Sequence, residues 1–119
     1  MRYSLKAEPG YLLAQVSDRR STEDVLRFYA AVAAESGRTG LDRILVESDE
    51  TIPPPVSGLY HAAETLSDLF LSCKVAGVYL SQSVFDSTAR FAENITYNWG
   101  IRNRMFRERE EALKWLLSP

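Results

Sequence analysis

The stretch STEDVLRFYAAVAAESGRTGLDRILV, residues 21–46, joins a helix pattern to a buried-strand pattern. Ser21 is a favourable N-cap residue, and Asp24 three positions later is typical of a capping box. Apolar residues then recur along one helical face, at Val25, Phe28, Tyr29 and Val32. Gly37 and Gly40 end this pattern, and residues 44–46 form a short apolar run typical of a strand in a parallel sheet. The stretch therefore predicts a helix that crosses over to a parallel strand.

The same unit, a helix followed by an apolar strand, recurs twice along the chain. One helix begins near Leu59 and leads to the run at 75–80, and another spans 86–99 and leads to 101–106. A hairpin with its turn at 8–11 and a final helix at 110–117 complete the predicted elements. We therefore expect one α/β domain over residues 1–119, with the order β-β-α-β-α-β-α-β-α and mostly parallel strands.

Composition excludes several classes of protein. The chain has 119 residues, of which 45% are hydrophobic and 25% charged, and its net charge is -2. This charge gives no attraction to nucleic acid or to an anionic membrane, and the longest apolar run, 28–34, is too short to span a bilayer. The single cysteine, Cys73, fits a reducing compartment. We expect a cytoplasmic protein without membrane insertion or nucleic-acid partner, and we interpret one basic run as a solvated face: Arg102, Arg104, Arg107 and Arg109.

Three stretches resemble a known family. YSLKAEPGYLLAQVSD (3–18), LDRILVESDE (41–50) and MFREREEALKWLL (105–117) are similar to the SpoIIAA-like family, a branch of the STAS fold of bacterial anti-sigma-factor antagonists, related to lipid-binding Sec14-type domains. The resemblance covers nearly the whole chain and rests on packing motifs. It implies a bacterial, non-enzymatic regulatory domain that acts by binding a protein partner.

Ser57 is the candidate modification site. Ser57-Gly58-Leu59 looks like the element in which STAS antagonists accept a phosphate from a partner kinase, although Pro55 and Val56 stand where that element usually has an acidic residue and a second serine. The residues themselves also allow a simpler interpretation. Prolines 53–55 form a stiff corner, and Ser57 would then cap the helix that follows.

The loops at the carboxyl ends of parallel strands commonly form binding surfaces. Two such segments, 47–60 and 17–22, are therefore predicted to face a partner. The residues assigned to this surface are Glu47, Ser48, Asp49, Glu50, Pro55, Ser57, Gly58 and Tyr60.

No catalytic residue, metal ligand or cofactor-binding motif is predicted. The only histidine, His61, falls off the apolar helix face and lacks a positioned partner, so we expect it to be exposed. Phe85, Tyr97 and Trp99 suggest an alternative function, because they could line an apolar pocket for a small molecule or lipid. The same aromatic side chains could instead form a self-association patch, so a homodimer is also expected.

Overall fold

The computed structural model describes all 119 residues. Its elements follow the predicted order, and the predicted α/β class is confirmed. They are β1 (Arg2–Glu8), β2 (Tyr11–Ser17), α1 (Thr22–Thr39), β3 (Arg43–Ser48), α2 (Val56–Phe70), β4 (Lys74–Tyr79), α3 (Gln82–Asn98), β5 (Arg102–Phe106) and α4 (Arg109–Leu116). None of the four helices is long and apolar enough to cross a membrane.

The strands form one mixed sheet in the order β1-β2-β3-β4-β5. β1 and β2 are an antiparallel hairpin, and β2 to β5 are parallel. Glu8 pairs with Tyr11 across the turn, where Gly10 has a φ of 87°, a conformation that favours glycine. β1 and β5 are therefore the two edges of the sheet.

Helices cover the two faces of the sheet unequally. α1, α2 and α3 lie on one face, where the main core cluster joins strand residues such as Leu12 and Ile44 to Phe28 of α1 and Phe70 of α2. α4 lies alone on the other face, and its buried residues Ala112 and Leu116 pack on the central strands. The cavity described below lies on the three-helix face.

The helix ends follow capping rules, with some shifts from prediction. Ser21 Oγ accepts a hydrogen bond from Asp24 N at 3.1 Å, as predicted. Asp24 accepts from Arg20 N instead of the Ser21 amide. α1 continues beyond residue 37 and ends at Gly40, whose φ is 75°. α3 begins at Gln82, earlier than predicted, because Ser81 caps its first turn.

Two cations hold the carboxyl end of α4 on the sheet. Lys74 Nζ donates to Trp115 O at 2.7 Å, and Arg43 Nη1 donates to Leu116 O at 2.9 Å. Both also donate to Ser118 O. These bonds satisfy carbonyls that a helix end leaves without partners, and the positive charges suit that end of the helix dipole.

Candidate functional site

A cavity of about 80 Å³ lies between the sheet and helices α1, α2 and α3. Of its 20 wall residues, 15 are hydrophobic, so it is an apolar space within the core. Small residues line the helix side and leave this space unfilled: Ala62, Ala63 and Ala92. Interiors are normally close-packed, and voids larger than a water molecule are few.

One wall of the cavity depends on Gly77. A Cβ atom at Gly77 would lie 2.5 Å from Met105 Cε and 2.6 Å from its Sδ, so any larger residue would displace the end of the Met105 side chain from its place over β4. Met105 belongs to the edge strand β5 and is only partly buried. Its unbranched thioether side chain is flexible and adapts readily to irregular spaces. The cavity therefore has one adjustable wall.

The partly exposed wall residues indicate the route to solvent. Apart from Tyr29, they are Thr96, Ile101, Asn103 and Met105. All four lie where the carboxyl end of α3 meets β5. Entry to the cavity is therefore expected between α3 and β5.

A buried ion pair closes the end of the cavity nearest the carboxyl ends of the strands. The side chains of Arg19 and Glu50 are 0% and 1% exposed. Arg19 Nη2 donates to Glu50 Oε1 at 2.7 Å, Arg19 Nε donates to both carboxylate oxygens, and Arg19 N donates to Oε2 at 2.8 Å. Ser48 Oγ also donates to Glu50, and Arg19 Nη1 donates to Tyr29 OH at 3.3 Å. The carboxylate is thus fully engaged.

Burial and the Arg19–Glu50 ion pair determine the pKa values of Arg19 and Tyr79 at this end of the cavity. Burial opposes the charge on Arg19, but Tyr29 and Glu50 outweigh that effect and raise the pKa of Arg19 above its ordinary value. Burial raises the pKa of the Tyr79 phenol, which therefore stays neutral. No buried side-chain nitrogen or oxygen lacks a hydrogen-bond partner. The polar end of the cavity is electrically balanced and needs no ligand charge to complete it.

A second carboxylate–arginine pair lies on the opposite face of the sheet. Arg109 Nε and Nη2 each donate to Glu47 at 2.7 Å, and Gln15 Nε2 donates to Glu47 Oε1 at 2.9 Å. The Arg109 guanidinium lowers the pKa of Glu47. The Arg109 side chain is 45% exposed, so this pair lies at the rim of the α4 layer.

The predicted partner surface is wrong for four of its residues. Glu47, Ser48 and Glu50 are buried in ion pairs or hydrogen bonds, and Gly58 is buried under α1. Of the others, Pro55 is half-buried and three are exposed: Asp49, Ser57 and Tyr60. Strand alternation explains part of the error, since adjacent residues at the end of β3 face opposite sides of the sheet.

The predicted cap of α2 is also wrong. The helix begins at Val56, its N-cap is Pro55 without a side-chain hydrogen bond, and Ser57 lies inside the first turn. Ser57 Oγ instead lies 3.0 Å from Thr22 Oγ1, so the two hydroxyls join the amino ends of α1 and α2. Next to it, a Cβ on Gly58 would lie 2.9 Å from Val25 Cγ2 and 3.2 Å from Thr22 Cα. Gly58 is thus required where the two helices cross.

The three residues of the predicted aromatic pocket do not come together at one site. None of Phe85, Tyr97 and Trp99 lines the cavity. Tyr97 is 82% exposed, and Phe85 lies beneath the Arg107 guanidinium, 4.2 Å from its carbon to the ring centroid. Trp99 lines a second pocket together with Tyr60, Ile95 and Asn98. The aromatic wall residues are instead Tyr29, Phe70 and Tyr79.

One further expectation about a single residue is confirmed, because His61 is exposed. Cys73 is buried beside Ser36. In the basic run, the Arg109 side chain binds Glu47, while Arg107 pairs with exposed Asp86. Arg19 lies in segment 17–22, which was predicted to face a partner, and this prediction is wrong for it, because its side chain is fully buried at the cavity.

Comparison with known proteins does not assign the chain to a family. No protein-family model matches the chain, and a search of curated proteins finds no match either. The resemblance to the SpoIIAA-like family therefore stays a prediction.

Proposed function

We propose that this protein is a binding module for a small, mostly apolar molecule held in the cavity between the sheet and helices α1, α2 and α3. The observation that supports this proposal is the apolar cavity of about 80 Å³ in the core of a small domain. Empty apolar cavities lack the polar partners that would hold water, and cavities of this kind bind apolar molecules. The adjustable Met105 wall would let a ligand somewhat larger than the free volume enter.

The polar end of the cavity favours an uncharged ligand. The only cation in the wall, Arg19, is already neutralised by Glu50. A ligand carboxylate would lose its hydration and would lie near the Glu50 carboxylate behind Arg19 and Ser48, a combination that costs on the order of several kcal/mol. A hydroxyl or carbonyl group could share a hydrogen bond with neutral Tyr79 or with Ser48. The proposed ligand class is therefore an apolar molecule with at most one neutral polar group.

Native mass spectrometry of protein purified from its own source cells tests this function directly. A small mass that disappears on denaturation is the expected result. Thermal unfolding with 1-hexanol and with hexanoate then tests the ligand class, since the two probes share a chain length and differ in charge. We expect the melting temperature to rise with 1-hexanol only, because a ligand that binds the folded state stabilises it. A bare chain, with no shift from either probe, would contradict the proposal.

A cavity-filling variant supplies the matched control. Ala92→Leu places a larger side chain in the cavity wall and should abolish the 1-hexanol effect. Ala34→Leu makes the same change on the exposed face of α1 and should keep it. Equal responses of the two variants would mean that 1-hexanol acts outside the cavity.

A second candidate function is a phosphorylation-regulated protein-interaction domain, as the family resemblance implies. The observation that favours it is that Ser57 is exposed in the first turn of α2, with its hydroxyl 3.0 Å from Thr22 Oγ1. A phosphate there would be favoured by the helix dipole and would replace the hydroxyl contact between the two helices. Partner capture from source cells by wild-type, Ser57→Ala and Ser57→Asp proteins tests this function. Identical partners for all three would reject it.

A further inference from the structure

The outer edge of β1 is an unoccupied hydrogen-bonding surface. β1 is the first strand of the sheet and pairs only with β2. The backbone hydrogen bonds made outside the regular elements include none from residues 2–8. An edge strand without partners is a template for pairing with another strand.

The hairpin turn determines which backbone groups point outward. Glu8 and Tyr11 flank a two-residue turn, so they form a hydrogen-bonded pair, and hydrogen-bonded and non-bonded pairs then alternate along the strands. Residues 2, 4, 6 and 8 therefore bond to β2. The amides and carbonyls of Tyr3, Leu5 and Ala7 point to the free edge.

The opposite edge of the sheet is protected. β5 is shorter than β1, and Glu93 of α3 reaches across to accept a hydrogen bond from Met105 N at 2.9 Å. A carboxylate on a strand amide blocks the addition of another strand there. No side chain accepts a hydrogen bond from an outward amide of β1.

We propose that β1 pairs antiparallel with β1 of a second copy of this chain, about a twofold axis at Leu5, so that the two sheets become continuous. In this register Tyr3 lies opposite Ala7 of the second copy, and both residues have outward backbone groups, as hydrogen-bonded pairs require. The contact uses the same surface of both copies and closes after two, which is the commonest symmetry of soluble oligomers. Pairing through β1 does not depend on a ligand in the cavity.

Charge complementarity supports this register. Arg2 lies opposite Glu8 of the second copy, and Lys6 lies opposite Ser4. These are non-hydrogen-bonded pairs, whose side chains approach most closely. All four side chains extend to the α4 face, where α4 packs on β3, β4 and β5. Within one copy Lys6 Nζ lies 3.4 Å from Glu8 Oε1, and Arg2 of the second copy would be a further cation beside that carboxylate. The symmetric contact therefore contains two opposite-charge pairs, which stabilise antiparallel strands.

The neighbouring registers are unfavourable. A shift of two residues in one direction places Arg2 opposite Lys6 of the second copy, and a shift in the other direction places the two Lys6 side chains opposite each other. Like charges directly opposite destabilise strand pairs. The sequence of β1 thus selects the one register that pairs its full length.

Analytical ultracentrifugation of the 119-residue chain over a wide concentration range tests the proposal. We expect a monomer–dimer equilibrium. Arg2→Glu and Glu8→Arg, each alone, should raise the dissociation constant by about tenfold or more, because each creates two like-charge pairs. The double variant restores opposite charges and should recover most of the affinity. Arg90→Glu, on the exposed surface of α3, is the matched control and should have little effect.

A backbone variant tests the edge itself. Ala7→Pro removes one outward amide but no hydrogen bond of the hairpin, so the variant should fold, as checked by circular dichroism, and be monomeric. Ala7→Ser keeps the amide and should dimerise like the wild type. A wild-type protein that stays monomeric at every concentration would overturn the proposal. So would a dimer whose affinity is unchanged by the two charge reversals and by Ala7→Pro.

Discussion

Glu47 and Glu50 are three residues apart, and each binds an arginine side chain through at least two hydrogen bonds, yet they lie in opposite environments. Glu50 and Arg19 are sealed on the three-helix face, with side chains 1% and 0% exposed. Glu47 is nearly buried on the α4 face, but its partner Arg109 is 45% exposed. The chemistry of the two pairs is the same, and their access to water differs.

This difference decides what each pair does for the fold. Removing one partner of a buried pair leaves an uncompensated charge without water, whereas a pair at the rim can be hydrated when it is broken. Arg19 and Glu50 therefore depend on each other for the fold to form. Arg109 and Glu47 attach the start of α4 to the sheet and are individually replaceable.

Arg19→Met should give the largest effect. It leaves the Glu50 carboxylate buried with only the Ser48 hydroxyl and the backbone amide of residue 19 as donors. We expect a loss of about 3–5 kcal/mol in the free energy of unfolding, a large fraction of the stability of a small domain. Urea denaturation monitored by tryptophan fluorescence measures it.

The double variant Arg19→Met, Glu50→Leu is the control for that prediction. It removes both charges and should recover most of the lost stability, because the cost arises from the unpaired carboxylate. A double variant as unstable as the single one would show that packing of the guanidinium, not charge, dominates. Access to water would then not explain why the Arg19–Glu50 and Arg109–Glu47 pairs differ in their effect on stability.

Arg109→Met should be milder. Glu47 keeps its hydrogen bond from Gln15, and water can reach the vacated rim. The expected loss is about 1 kcal/mol, measured by the same urea titration. A loss equal to that of Arg19→Met would break the comparison.

The effect of Arg109→Met should also depend on pH. Arg109 lowers the pKa of Glu47 in the folded protein, so the ionised carboxylate stabilises the fold above the unfolded-state pKa of about 4.3. That contribution is lost as the pH falls through the lower folded-state pKa. The stability difference between wild type and variant should therefore shrink at acidic pH. A difference that stays constant from neutral pH to about pH 2 contradicts this assignment.

Arg27→Met should give the smallest effect. Arg27 pairs with Glu23 on the outside of α1 at 2.9 Å, with both side chains more than half exposed. Exposed pairs contribute little to stability, so the midpoint of urea unfolding should stay within experimental error. A clear shift here would mean that solvent exposure is a poor guide to the three pairs.

The sequence predicts the scaffold of this molecule well, because local patterns govern it. The Ser21 cap, the Gly10 turn and the apolar runs of β3 and β4 depend on neighbours within a few residues, and the structure has all of them. The helical spacing of α3 also indicates that Tyr97 does not line a buried pocket. Tyr97 lies two positions after buried Ile95, which puts it on the opposite side of the helix.

The candidate site could not be predicted in the same way. The partner of Arg19 lies 31 positions away and that of Arg109 lies 62 positions away, so no local pattern joins them. The cavity exists because the side chains of Ala62, Ala63 and Ala92 are too small to fill the space between the helices and the sheet. Small residues in a helix are equally compatible with tight packing. Only the packed helices and sheet show whether such residues leave a cavity.

Hydrostatic pressure acts on the cavity beneath Met105. Unfolding removes internal voids, so the unfolded chain with its water occupies less volume than the folded protein does, and compression favours it. A domain of 119 residues with a cavity of about 80 Å³ should therefore unfold at a lower pressure than a fully packed domain of the same stability. Occupation of that space would make the folded state less compressible.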